Sequence, residues 1–406
     1  MSTDEAPAAR STRSLGRRVA MLARRALYTV VAACVACAAP WASRLWLERD
    51  AAALHAGDLD AERSVAMGAA SWGPVDTSHF DTGSELYDRE WSFGTPMMRV
   101  ACLAQVGLRH APLREQLGAE LDASAEALLA RPARAFSVGR WGSDPLDASR
   151  LDDDHTAYLG YAGFALGLAS ALDPRWRGPR RELAQALRAR LARAERRWLQ
   201  TYPGEVYPVD VASALGALAI DAKLEGRELE SDTAFHAALA RLRAARDPVT
   251  GLLLQSIDQE RGEALDGPRG SGTFLAAYFL LPVDASLSRS LYEDGARALY
   301  GTTLGFSAMR ERPRGDPGAG DIDSGPVILG YGVSASGFAM GPARSFGDRE
   351  RFAGLYATAE LFGVPQRSER HGHRHLTGGP LGDAVLCAMQ TAPTPVELAH
   401  SLGGAR

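Results

Sequence analysis

The chain is poor in lysine, in cysteine and in alternating β-branched runs, and each shortage excludes something. Of its 45 basic residues only Lys223 is a lysine, and the formal net charge is −4. Residues 1–43 hold six arginines against Asp4 and Glu5, so that stretch carries +4 and the remainder −8. An acidic body lacks the clustered positive charge that neutralises phosphates, which argues against a nucleic-acid partner. Of four cysteines, Cys34 and Cys37 fall in an N-terminal apolar stretch, leaving Cys102 and Cys387 alone in the body. That is too few for a disulfide framework and the wrong spacing for a zinc knuckle, so both read as small buried residues. Without short alternating runs closed by hairpin turns, the expected class is all-α.

What the chain does have is apolar bulk and a marked N-terminus. With 406 residues, 46% of them hydrophobic, it can bury a large core. Arg10, Arg13, Arg17, Arg18, Arg24 and Arg25 precede an apolar run over 26–42, the charged and apolar regions of a secretory signal. The run is roughly 17 residues against the roughly 20 that span a hydrocarbon core. Val31-Ala32-Ala33-Cys34 also has the small-residue-then-cysteine form of a lipobox. Residues 1–48 are therefore read as a signal peptide, a lipoprotein signal or a membrane anchor. The expected location is the cell envelope, with membrane contact through the N-terminus alone.

Beyond residue 50 helix punctuation recurs. Thr95-Pro96 predicts a helix over 97–109 and Pro112 one over 112–130; the aspartates at 152–154 are placed to cap one ending at 172. Pro179 opens a partner to 200, Pro208 a helix to 225 stopped by Gly226, and Ser231-Asp232 cap the next. Further pairs fall at 272–281 with 285–300 and 325–343 with 348–362, and a last helix at 381–390. First members recur about every 55 residues, the mark of a helical repeat. They are apolar or small all round, whereas second members keep a charged stripe. That pattern favours an (α/α)6 toroid over 49–393, an inner ring of buried helices inside an outer amphipathic ring, rather than a linear solenoid. Residues 394–406 are read as a tail.

Unusual polar residues collect just before the first members. Parallel inner helices would open all these N-termini at one mouth, the usual setting of a ligand site. Asp321 and Asp323, in a glycine- and proline-rich loop, are the expected acid and base, because crowding two carboxylates drives their pKa values apart. His155 and Asp88 are placed in support. Tyr87, Trp91, Asp154, Tyr158, Tyr207, Asp210 and Ser271 are candidate substrate contacts, with helix capping the competing role for the aspartates. His371, His373 and His375 alternate in a polar stretch and read as an exposed loop; no metal and no cofactor is expected.

Tyr87-Asp88, His155 with Tyr158-Leu159-Gly160, and Tyr207-Pro208 resemble the bacterial linalool dehydratase-isomerase family of (α/α)6 enzymes, over roughly residues 80 to 345. The resemblance implies acid and base steps on a terpenoid alcohol, with Asp88, His155 and Tyr87 in those roles. The chain departs from that pattern in having no cysteine between His155 and Cys387. The same ring serves glycoside hydrolases, polysaccharide lyases and sugar epimerases, whose acid pairs and aromatic walls fit Asp321, Asp323, Asp88 and Trp91. The expectation is a hydrolase or lyase acting on a glycan or glycoconjugate. Chemistry on a small hydrophobic alcohol and a non-catalytic binding or scaffold role are the alternatives.

Overall fold

The computed structural model describes residues 8–403 apart from 195, 196, 317 and 319, and the side chains of 8–19, including Arg10, Arg13, Arg17 and Arg18, lie outside the description. Helix α1 (Ala8–Leu47) leads through α2 (Ala51–Ala56) into α3 (Leu59–Ala70). Then α4 (Glu85–Arg109) is followed by α5 (Leu113–Leu129) and α6 (Arg131–Trp141), α7 (Thr156–Leu172) by α8 (Arg177–Arg193), and α9 (Pro208–Glu225) by α10 (Thr233–Ala244). The series closes with α11 (Gly270–Leu280) and α12 (Ala285–Leu299), α13 (Val333–Ser345) and α14 (Arg349–Gly363), and α15 (Gly379–Gln390) and α16 (Pro395–Gly403).

The ring closes. Helices α4, α7, α9, α11, α13 and α15 each pack on the next, and α15 returns to α4. These are the apolar first members of the repeat, and every residue of α11 is buried. Close approach depends on small residues. A Cβ on Gly160 would stand 2.3 Å from Ser213 Oγ, and one on Gly216 would stand 2.5 Å from the Phe279 carbonyl. Outside, α5, α8, α10, α12 and α14 cover their inner partners, and α3, drawn from the N-terminal side, covers the gap between α15 and α4. The sixth outer position is thus filled from the start of the chain.

Toward the C-terminal ends of α4 and α11, side chains meet across the ring. Gln105 Nε2 of α4 donates to Tyr278 OH of α11 at 2.5 Å, and Tyr278 packs on Phe164 of α7. The inner helices all begin at one end of the ring. At the other end Glu62 of α3 is fully buried and accepts from Arg109 of α4 and Arg344 of α13. Residues expected as a tail form α16, which packs on α4 and α9 and pairs Glu397 with Arg109 at 3.1 Å.

Several local expectations are corrected. Helix α4 begins at Glu85 rather than beside Pro96, which sits inside it; Asp88 and Trp91 therefore lie on its first turns. The aspartates at 152–154 do not cap α7, whose N-cap is His155 in the left-handed conformation, φ 48°. Among the described residues four two-stranded hairpins link the helices: β1 (Leu254–Ile257) with β2 (Ala264–Pro268), β3 (Tyr300–Thr303) with β4 (Phe306–Met309), β5 (Val327–Ile328) with β6 (Tyr331–Gly332), and β7 (Pro365–Ser368) with β8 (Gly372–His375). They are too short to register as periodicity. The histidine stretch is not an exposed loop: His373 and His375 are buried on β8, with only His371 partly open. Cys102 and Cys387 are buried as expected, but joined in a disulfide that ties α4 to α15.

Helix α1 is continuous, and residues 20–47 form a 28-residue, largely apolar stretch that is unburied apart from Leu47 at its end. At about 1.5 Å per residue it exceeds the roughly 30 Å of a bilayer core. Signal sequences and anchors share this form.

Candidate active site

The mouth is built from the first turns of the inner helices and the segments leading into them. With α4 starting at Glu85, Tyr87 and Glu90 stand three residues apart on one helix face. Tyr161 comes from α7 and Asp210 from the first turn of α9; Tyr202, Glu205 and Tyr207 come from the turn before α9, and Asp321 and Asp323 from the loop before α13. Their charges act on one another across the ring, which places them in one neighbourhood.

Three carboxyl groups there hold protons more tightly than usual. Glu90 accepts a hydrogen bond from Tyr202 OH. Burial, reinforced by the neighbouring Asp210 charge and opposed by that hydrogen bond, pushes it up to about 7. Asp210 is buried and accepts from Tyr161 OH at 2.9 Å and Thr201 Oγ1 at 2.5 Å. Burial lifts it to about 6 while the two hydroxyls resist. Asp323 is raised well above the carboxylate range by enclosure within the ring and by the charges of Glu90, Asp321 and Asp210. Its surface nevertheless remains accessible to solvent.

The supports are aromatic and cationic. Phe93 packs on Phe136, and Phe136 meets Tyr202 edge-on, fixing the ring that binds Glu90. Arg140 lies over Tyr202, 4.8 Å from its centre, and pairs with Glu205. Arg269 pairs with Asp321 and, at 2.5 Å, with Asp266. Both arginines are committed, so the mouth presents surplus negative charge.

Of the residues singled out in the sequence, Tyr87, Tyr207, Asp210, Asp321 and Asp323 are brought together, and Ser271 borders them through Glu311, which feels the charges of Asp321 and Arg269; the others are not. Asp88 is occupied with its own loop, accepting from Thr82 N at 2.9 Å and Thr82 Oγ1 at 2.8 Å. Trp91 packs edge-on against Phe80. His155 is buried between Ser137 Oγ, 2.7 Å from Nδ1, and Ser143 Oγ, 3.0 Å from Nε2. The charges it feels are Arg190, Asp153 and Asp144, none of them in the acid cluster, and burial draws it down to about 4. Asp154 pairs with Arg197 and accepts from Gln200 N at 2.9 Å, which holds the turn carrying Thr201 and Tyr202. Tyr158 OH donates to the Leu128 carbonyl inside the wall. Ser271 Oγ donates to Glu311, a buried acid between α11 and α13 pushed up to about 7 by that burial. Glu90, Tyr161 and Tyr202 were missed. Glu90 had a signal in its i, i+3 spacing from Tyr87, hidden while that segment was read as loop.

No protein-family model and no curated protein matches the chain. Among solved structures it is similar to a glycoside hydrolase of family 105 from C. acetobutylicum, at 11% identity and a TM-score of 0.45, covering 73% of this chain and 92% of that one. It is also similar to the unsaturated glucuronyl hydrolase of Bacillus sp. GL1 (15%, 0.48, covering 81% and 96%) and to that of Streptococcus agalactiae (12%, 0.41, covering 73% and 80%). Similarity this low assigns no activity to the present chain.

Proposed function

We propose that the protein is an envelope-located glycan hydrolase or lyase working by acid and base catalysis at the mouth of the ring, anchored or exported through α1. The observation that carries this reading is the convergence of Glu90, Asp210 and Asp323, from three separate parts of the ring, on one neighbourhood shared with Tyr87, Tyr161, Tyr202 and Tyr207. A carboxyl held protonated near neutrality beside one that is ionised is what protonation of a leaving oxygen and activation of water require. Glu90 and Asp323 share the acid role, since neighbouring acids do not all ionise together. Asp210, held by two hydroxyls, is the base. This revises the expected pair: Asp321 is engaged by Arg269 and positions the loop.

The mouth is acid-rich rather than apolar, and the body's two cysteines are joined deep in the ring. Both facts favour a polyhydroxylated ligand over a small hydrophobic alcohol. Surplus negative charge further favours neutral or amino sugars over polyanionic chains.

The test is release of reducing or unsaturated ends from a panel of neutral, amino-sugar and uronate oligosaccharides, comparing wild type with Glu90→Gln and Asp323→Asn. Turnover by wild type and its loss in both variants is expected. No turnover together with no saccharide-induced rise in Tm leaves the scaffold reading in its place.

A further inference from the structure

We infer that the protein carries a zinc site away from the mouth acids, formed by Glu360, His373 and His375. Glu360 comes from the last turns of α14, and the two histidines alternate on β8, so both side chains leave the same face of the strand. All three are buried and their ligand atoms lie within 4.8 Å of one another. Glu360 Oε1 is 2.9 Å from His373 Nε2 and 3.0 Å from His375 Nε2. Ligands about 2.0–2.1 Å from a tetrahedral Zn2+ stand about 3.3 Å apart, so small rotamer shifts complete the geometry.

Two further observations point to a cation. Asp383 Oδ1 accepts from His375 N at 2.8 Å and lies 3.0 Å from His375 Nδ1. Asp383 is itself held by Trp72 Nε1 at 2.7 Å. Asp383 thereby orients the His375 ring with Nε2 toward Glu360, the carboxylate-histidine arrangement that supports metal ligands. Meanwhile His373 Nε2 is buried and makes no aligned hydrogen bond despite its proximity to Glu360. One carboxylate oxygen and two ring nitrogens thus converge on a point that needs positive charge between them. Nearby, Arg367 pairs with both Glu360 and Asp50, and Arg49 pairs with Asp50 as well. His373 also lines a cavity of about 310 Å³ with Tyr356, Arg367, Asp50 and Leu54, leaving a fourth position for water.

The experiment is metal analysis of the untagged full chain after chelation and dialysis against Zn2+, with Co2+ substitution in parallel. One equivalent of zinc, a four-coordinate Co2+ absorption band and a zinc-dependent rise in Tm are expected. Glu360→Gln with His373→Asn should abolish all three, and Asp383→Asn should weaken binding roughly 10- to 100-fold. Should the variants fail to fold, the wild-type stoichiometry and Co2+ spectrum still decide. Substoichiometric zinc, an octahedral Co2+ spectrum, or binding retained in the double variant overturns the site and leaves an ion-paired network of histidines and acids.

Discussion

Asp210 is buried and Glu90 half-buried, and their neighbours set them to different tasks. Asp210 takes two hydroxyl hydrogen bonds and loses its proton at about 6; Glu90 takes one and holds its proton to about 7. Activity should rise through the first value as the base ionises and fall through the second as the acid is lost, a narrow bell between them. Glu90→Gln should lower kcat by roughly 10²- to 10⁴-fold and remove the alkaline limb. An unchanged alkaline limb in that variant would assign the acid role elsewhere. His155 makes a separate statement about stability. Its pKa is about 4 when folded against about 6.5 when unfolded, so between those values the unfolded chain binds a proton that the folded one refuses. Stability contributed by neutral His155 is complete above about 6.5 and declines as pH falls toward 4, at up to about 1.4 kcal/mol per pH unit. Denaturant titrations at pH 7, 6 and 5 should show a shallower decline for His155→Gln than for wild type; parallel slopes would refute the assignment.

At the scale of elements, the inner helices touch through glycine, and the consequence can be read with both signs. Ala is favoured over Gly within a helix by about 1 kcal/mol. At Gly118 of α5 nothing lies within 4 Å of an added Cβ, so Gly118→Ala should stabilise by about that amount. At Gly216 of α9 the Cβ meets the Phe279 carbonyl at 2.5 Å, and the backbone of α11 is too well packed to yield. Gly216→Ala should therefore destabilise by about 1–3 kcal/mol, and thermal melts of the two variants should move in opposite directions. The all-round apolar character of helices such as α7 and α9 is what made the ring legible before its coordinates, together with the prolines and glycines that punctuate them: Pro208 and Gly226 bracket α9 where expected. Proline misled at position 96, because a long, well-buried helix can carry it internally at the cost of the backbone bond to the Ser92 carbonyl. Glu90 was lost with that boundary. The histidines were lost for a different reason: residues 365–375 are polar, and only the pairing of β7 with β8 beneath α3 buries alternate ones. Gly68 of α3 passes so close that its Cβ would stand 1.8 Å from the His373 carbonyl, a tertiary fact with no local trace.

At the scale of the whole molecule, a ring of sequential hairpins has one weak point, the seam where the last inner helix meets the first. Every other inner junction joins consecutive repeats, whereas α4 and α15 come from opposite ends of the ring's sequence. Three devices bind that seam: α3 laid across it, the Glu62 cluster uniting α3, α4 and α13, and the Cys102–Cys387 disulfide, whose residues lie 285 apart in sequence. A covalent link across so long a stretch restricts the unfolded chain strongly and contributes about 2–4 kcal/mol in typical proteins. It also forms and persists in an oxidising compartment, in keeping with export through α1. Reduction should lower the Tm of the wild-type chain, while a Cys102→Ala, Cys387→Ala double variant should start lower and show no response to reductant. The exposed Cys34 and Cys37 lie outside the seam, so replacing them should leave the reductant effect intact. A wild-type Tm indifferent to reductant would mean that α3 and the Glu62 cluster hold the seam unaided, and cytoplasmic folding of the ring would then meet no redox barrier.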